Sequence, residues 1–148
     1  VQPSGCLDKT ALRIFNQGLL YADEVVTPGS GETVGLGLTV RNGIGASTAI
    51  ANQPMELVEI KLANGRKLRM TPNHRMSVKG KWIHACNLKP GMLLDYSIGE
   101  ASGHHHHHHG GSGSPYKIES VNIGAVCDYS YDFAIEGIND NDSWYWQG

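Results

Sequence analysis

A chain of 148 residues is long enough for one domain with its own core, and 40% hydrophobic residues is normal for a soluble globular protein. The formal net charge of -2 argues against a nucleic-acid partner, which would require a basic surface. No apolar run approaches the roughly 20 residues that span a bilayer, and no signal peptide opens the chain. The expectation is a soluble, cytoplasmic protein with no membrane partner.

Short apolar runs punctuated by Gly, Pro, Asn and Asp predict strands over residues 12–15, 18–21, 35–40, 55–62, 67–70, 75–78, 92–96, 116–123 and 131–136. Only residues 21–26 and 85–88 read as helical turns. Residues 27–33 are Gly-rich and read as a loop. Residues 41–53, mostly Gly, Ala, Ser, Thr and Asn, read as a loose strand or a long loop. From Leu57 to Leu62 the apolar residues alternate imperfectly with a period of two. Asn64-Gly65 is a two-residue hairpin signal, and Lys79-Gly80 marks a second turn. No internal repeat is visible. The pattern predicts an all-β fold of many short strands with minimal helix.

Six of the 8 histidines form the run His104 to His109, bracketed by Gly and Ser from Gly103 to Ser114. Six histidines beside Gly-Gly-Ser-Gly-Ser are an expression tag in a flexible linker, which removes them from fold reasoning. The tag is internal, and exposed loop tips tolerate insertion. Residues 101–115 therefore mark a place where an insertion was removed or two pieces were joined. His74 and His84 remain as candidates for chemistry. Three cysteines, Cys6, Cys86 and Cys127, with no Cys-x-x-Cys pair, argue against a disulfide framework and against a metal site. Each is a buried apolar residue or a nucleophile.

Four segments stand out in order. The first is Cys6-Leu7-Asp8-Lys9-Thr10 before an apolar run. The second runs from Gly65 to Val78 and contains Thr71-Pro72-Asn73-His74. The third is Lys81 to Met92, with Leu88-Lys89-Pro90-Gly91. The fourth is Tyr131-Asp132-Phe133-Ala134-Ile135-Glu136. In this order they resemble the conserved blocks of inteins, whose catalytic domain has the horseshoe-shaped Hint fold shared with Hedgehog autoprocessing domains. The resemblance covers most of residues 6–148 outside the tag linker, and makes residues 1–5 an upstream flank.

The resemblance implies autocatalytic protein splicing with no cofactor, performed once by each molecule on its own flanking peptide. Cys6 would attack the carbonyl of Gly5 in an N-to-S acyl shift, converting an amide to a thioester. His74 would donate to the departing nitrogen. Thr71, with Asn73, would polarise the carbonyl or hold it twisted. Asp132 would assist proton transfer from Cys6. Holding a thiol beside its own peptide bond makes the attack intramolecular, with effective molarities of about 10⁵ M or more. His84 between Ile83 and Ala85 reads as structural, and Cys86 and Cys127 read as core residues. Trp144, Tyr145 and Trp146 have no basic residue among them, so strand packing is expected rather than a base-stacking platform.

The family usually ends in His-Asn before a downstream Cys, Ser or Thr, and the Asn cyclises to cut the second junction. Here the chain reads to Gly148, with Asp142 where many members have a histidine. The expectation is that the last strand and the Asn come from a short complementary peptide, as in a split intein, or were deleted to trap a precursor. Val1-Gln2-Pro3-Ser4-Gly5 resembles a segment of ribonucleotide reductases, enzymes that host inteins. The tag linker leaves no room for a homing endonuclease, so no DNA partner is expected. Two rival readings are a Hint-type domain that cleaves without ligating and a non-catalytic β-rich binding module.

Overall fold

A computed structural model of the protein describes residues 5–9, 14–15, 19–39, 45–97, 106–107 and 115–135. Its strands are β1 (Ile14–Phe15), β2 (Leu19–Leu20), β3 (Gly31–Thr33), β4 (Leu38–Thr39), β5 (Gly45–Ala51), β6 (Met55–Leu62), β7 (Lys67–Met70), β8 (Arg75–Val78), β9 (Lys81–His84), β10 (Tyr96–Ser97), β11 (His106–His107), β12 (Ile118–Asp128) and β13 (Tyr131–Ile135). The helical turns expected at residues 21–26 and 85–88 are single 3₁₀ turns at Ala22–Glu24 and Ala85–Asn87. The architecture is all-β, built from small antiparallel sheets. Among the described residues no helix is long and apolar enough to cross a membrane.

One sheet has the order β12-β6-β7. Side chains alternate across a strand, so Val58, Ile60 and Leu62 share one face of β6. All three are buried, packed with Leu68, Met70, Met76, Leu94 and Ile118. Each such burial contributes roughly 1.5–3 kcal/mol, so this face dominates the local energetics. Leu57 points the opposite way and is also fully buried, which is why the alternation looks imperfect in the sequence.

The second sheet has the order β13-β5-β3, with β4 also pairing β5. Its core sets large residues against small ones. Tyr131 lies opposite Ala51 and Phe133 opposite Ala49, and all four side chains are buried. The alanines leave room for the rings, but they carry little hydrophobic signal. Residues 45–51 therefore resolve to the strand option of the ambiguous stretch 41–53. Gly31–Thr33 forms β3, a correction to the loop expected over 27–33, because pairing with Ala49–Ala51 satisfies its backbone.

The two sheets meet on one residue. Leu7 forms antiparallel bridges to both Met70 and Tyr131. The N-terminal segment thus lies as a short strand between β7 and β13.

Two turns refine the reading. The β6–β7 connection is a three-residue loop, Ala63-Asn64-Gly65, not a two-residue one. Gly65 N donates to Leu62 O at 2.9 Å, and Leu62 N to Arg66 O at 2.9 Å. Gly65 has φ +85°, the left-handed position that closes such a loop. Lys79 and Gly80 both have positive φ, 51° and 74°, which turns β8 into β9, a strand the sequence reading did not list. The strand expected over 116–123 starts at Ile118 and continues to Asp128. Over 92–96 only isolated bridges form at Leu93 and Leu94, before β10 starts at Tyr96. His106 and His107, within the stretch read from the sequence as a tag linker, pair with Ser97 and Tyr96 as a two-stranded element.

Candidate active site around Cys6

Leu7 and its neighbours hold Cys6 from both sides. Leu7 N donates to Tyr131 O at 3.0 Å, and Tyr131 N to Leu7 O at 2.8 Å. On the other edge, Asp8 N donates to Arg69 O at 3.1 Å, and Thr71 N to Cys6 O at 2.9 Å. Thr71 adds its side chain. The amide nitrogen of Cys6, which belongs to the Gly5–Cys6 peptide bond, donates to Thr71 Oγ1 at 2.8 Å. The same hydroxyl lies 3.4 Å from Cys6 O. Thr71 therefore grips the nitrogen of that bond, rather than the Gly5 carbonyl that the sequence reading assigned to it.

The sulfur is enclosed. Cys6 is only 3% exposed. Asn52 Nδ2 donates to Cys6 Sγ at 3.1 Å and to Ser130 Oγ at 3.0 Å. Ser130 is itself fully buried. Burial pushes the Cys6 thiol up to about 11, and the charge of Asp132 pushes the same way, while hydrogen bonding from Asn52 and Ser130 opposes them. The resting group is a neutral thiol. Asp132 owes its position to β13. It follows Tyr131, which is bridged to Leu7, and it lies opposite Ile50.

Thr71-Pro72-Asn73-His74 is a β-turn closed by His74 N donating to Thr71 O at 3.0 Å. Proline suits the second position of such a turn because its φ is preset. The following 3₁₀ turn clamps it: Ala85 N donates to His74 O at 2.8 Å, and Cys86 N to Pro72 O at 3.1 Å. Thr71 and His74 are buried in consequence, whereas Asn73 is exposed at the turn. Burial lowers the His74 imidazole to about 4, with the charge of Arg75 acting in the same direction, so it is neutral near pH 7. Its Nδ1 is buried without a hydrogen-bond partner among the described residues. An orphaned buried polar atom is costly and rare. Gly5 is packed against this histidine: a Cβ on Gly5 would lie 2.7 Å from His74 Cβ and 2.7 Å from His74 N.

The structure thus gathers Cys6, Gly5, Thr71, His74 and Asp132. Asn73 faces solvent, and Asp142 lies outside the described residues. His84 is exposed on β9, opposite Arg75. Cys86 is half-buried. Cys127, expected in the core, is exposed on β12, where most side chains from Asn122 onward face solvent. Among the described residues no group of three or more His, Cys, Asp or Glu could hold a metal ion. Asn52 and Ser130 were missed by sequence reasoning. Asn52 lies in a stretch read as loose strand or loop, and Ser130 precedes the Tyr-Asp strand without belonging to any motif.

No family model matches the sequence, and no curated protein matches it. Solved structures do. The TvoVMA intein superposes with a TM-score of 0.63 at 14% identity, covering 91% of this chain and 89% of that one. A DnaB intein from Synechocystis sp. PCC 6803 gives 0.59 at 14% identity, over 90% of this chain and 89% of that one. The PabCDC21-1 intein gives 0.58 at 15% identity, over 95% and 98%. The sheets that converge on Cys6 are therefore those of a known architecture, and this chain has the Hint-like fold of the inteins.

Proposed function

We propose that the chain is a self-processing domain that carries out the opening step of protein splicing, an N-to-S acyl shift at the Gly5–Cys6 bond. The observation that carries this reading is the hydrogen bond from the Cys6 amide nitrogen to Thr71 Oγ1, 2.8 Å. It pins the nitrogen that must leave, next to a buried histidine whose Nδ1 has no hydrogen-bond partner among the described residues. The fold shared with inteins supports it.

In the proposed step Cys6 Sγ gives its proton to Asp132 and attacks the carbonyl carbon of Gly5. A C–S bond forms and the C–N bond breaks. Asp132 passes the sulfur's proton to the neutral His74 imidazole, and the imidazolium so formed protonates the nitrogen as the C–N bond breaks, which leaves both groups as they began. Sulfur loses one proton and nitrogen gains one, so charge balances. Asn52 steadies the sulfur as negative charge develops on it. Each molecule reacts once, with its own flanking peptide as substrate.

Incubation with dithiothreitol, followed by intact mass, tests the proposal. The thiol intercepts the thioester, so mass corresponding to Val1–Gly5 is lost. Cys6→Ala abolishes the loss and His74→Ala slows it strongly. An unchanged mass after a day at neutral pH refutes the reading.

A further inference from the structure

We infer that the position before Cys6 is a glycine-only subsite, so that the acyl group this domain can transfer must end in glycine. The inference rests on the acyl-shift reading and names its substrate class. Two independent features exclude a side chain at Gly5. The first is backbone conformation: φ is +121°, which L side chains rarely adopt. The second is space. A Cβ there would run into His74 Cα and lie 2.7 Å from both His74 Cβ and His74 N.

Neither obstacle relaxes easily. Two of the three atoms in the way are backbone, and that backbone is fixed on both sides. His74 N is bonded to Thr71 O at 3.0 Å and His74 O to Ala85 N at 2.8 Å. Other glycines show how unusual the position is. Gly31, Gly35, Gly65 and Gly91 also have positive φ, yet a Cβ on any of them would meet nothing within 4 Å. At those sites only conformational strain opposes substitution. At Gly5 the neighbour is the turn that carries the imidazole, so a larger residue must either displace His74 or withdraw the peptide bond from Thr71. A misplacement of about 1 Å at a reacting bond can cost about 100-fold in rate.

The test compares the full chain with its Gly5→Ala and Gly5→Ser variants, with Gly31→Ala as a control for positive φ without a clash. Cleavage by dithiothreitol is read by intact mass, and hydrogen exchange is read at the Cys6 amide. The expected result is a drop of about 100-fold in cleavage for both Gly5 variants, with Gly31→Ala within a few-fold of the parent. The Cys6 amide, protected in the parent by Thr71, should exchange faster in Gly5→Ala while exchange in β6 and β12 is unchanged. Cleavage of Gly5→Ala within a few-fold of the parent overturns the inference. If the parent itself does not cleave, the acyl-shift reading fails instead. The exchange measurement then still decides the subsite: equal Cys6 protection in parent and Gly5→Ala overturns it.

Discussion

Asn52 Nδ2 lies 3.1 Å from Cys6 Sγ, a contact between residues 46 positions apart. The same amide reaches Ser130 Oγ, and Asn52 N donates to Ser130 O at 2.9 Å. The end of β5 and the residue before β13 are thereby tied to the sulfur. A hydrogen bond to a group gaining charge is worth about 1.5–3 kcal/mol, or roughly 10- to 100-fold in rate. Asn52→Ala should slow thiol-induced cleavage by that factor. It should also move the midpoint of Cys6 alkylation against pH upward, because a group that lowers the thiol's pKa has been removed. Cys6-specific alkylation followed by mass spectrometry reads this directly. A midpoint that stays in place would leave Asn52 with a packing role only.

Asp132 is expected to act on the same thiol with the opposite sign. Its charge raises the Cys6 pKa, second only to burial. Asp132→Asn should therefore bring the alkylation midpoint down from about 11 towards the ordinary value of 9.0. If Asp132 is the proton acceptor, cleavage should slow by roughly 100-fold or more even as the thiol becomes easier to ionise. Faster cleavage in this variant would show the carboxylate to be only an electrostatic obstacle.

His74 makes stability depend on pH. Its folded pKa is about 4 against 6.5 unperturbed. Between those values the unfolded chain binds the proton and the folded chain does not. The contribution is therefore fully present above pH 6.5 and is lost as pH falls towards 4. The shift corresponds to an effect on the order of 3 kcal/mol. Cys6 acts at the other end. Its folded pKa is raised, so the unfolded state ionises first and stability declines as pH rises above 9.0. Denaturant midpoints measured from pH 4 to 8 should fall at the acid end, and His74→Gln should flatten that slope.

The hairpin below the site depends on one buried carboxylate. Asp95 Oδ2 accepts from Ser77 Oγ at 2.7 Å and from Gly80 N at 2.8 Å. Asp95→Ala leaves a buried hydroxyl and a turn amide without their acceptor, at a cost of about 2 kcal/mol or more. A fall of roughly 5 °C in the melting temperature is expected. Cys6 alkylation at 20 °C should change little, because the hydrogen bonds lost lie in the β8–β9 hairpin.

Much of the scaffold was legible because local rules and tertiary packing agree there. Residues 55–62, 67–70 and 75–78 are strands at the expected bounds, since branched and long apolar side chains sit on one buried face between turns. Residues 45–51 were ambiguous for the opposite reason. Their buried side chains are alanines, chosen by the rings of Tyr131 and Phe133 across the sheet, and a small residue that fits a neighbour carries no periodic signal of its own. Residues 81–84 carry no strand signal beyond the Lys79-Gly80 turn that precedes them, because their pairing with β8 is a cross-strand fact.

The sequence by itself determined the all-β class, the turns at Asn64-Gly65 and Lys79-Gly80, and the likeness of Cys6 and its partners to a splicing constellation. Those are matters of residue type and short spacing. Only the tertiary structure decided that Leu7 lies between two sheets, that Thr71 holds the nitrogen of the Gly5–Cys6 bond, that Asn52 and Ser130 enclose the sulfur, and that His74 leaves no room beside Gly5. Each joins segments tens of residues apart, through hydrogen bonds and steric limits that appear only when β5, β7 and β13 come together.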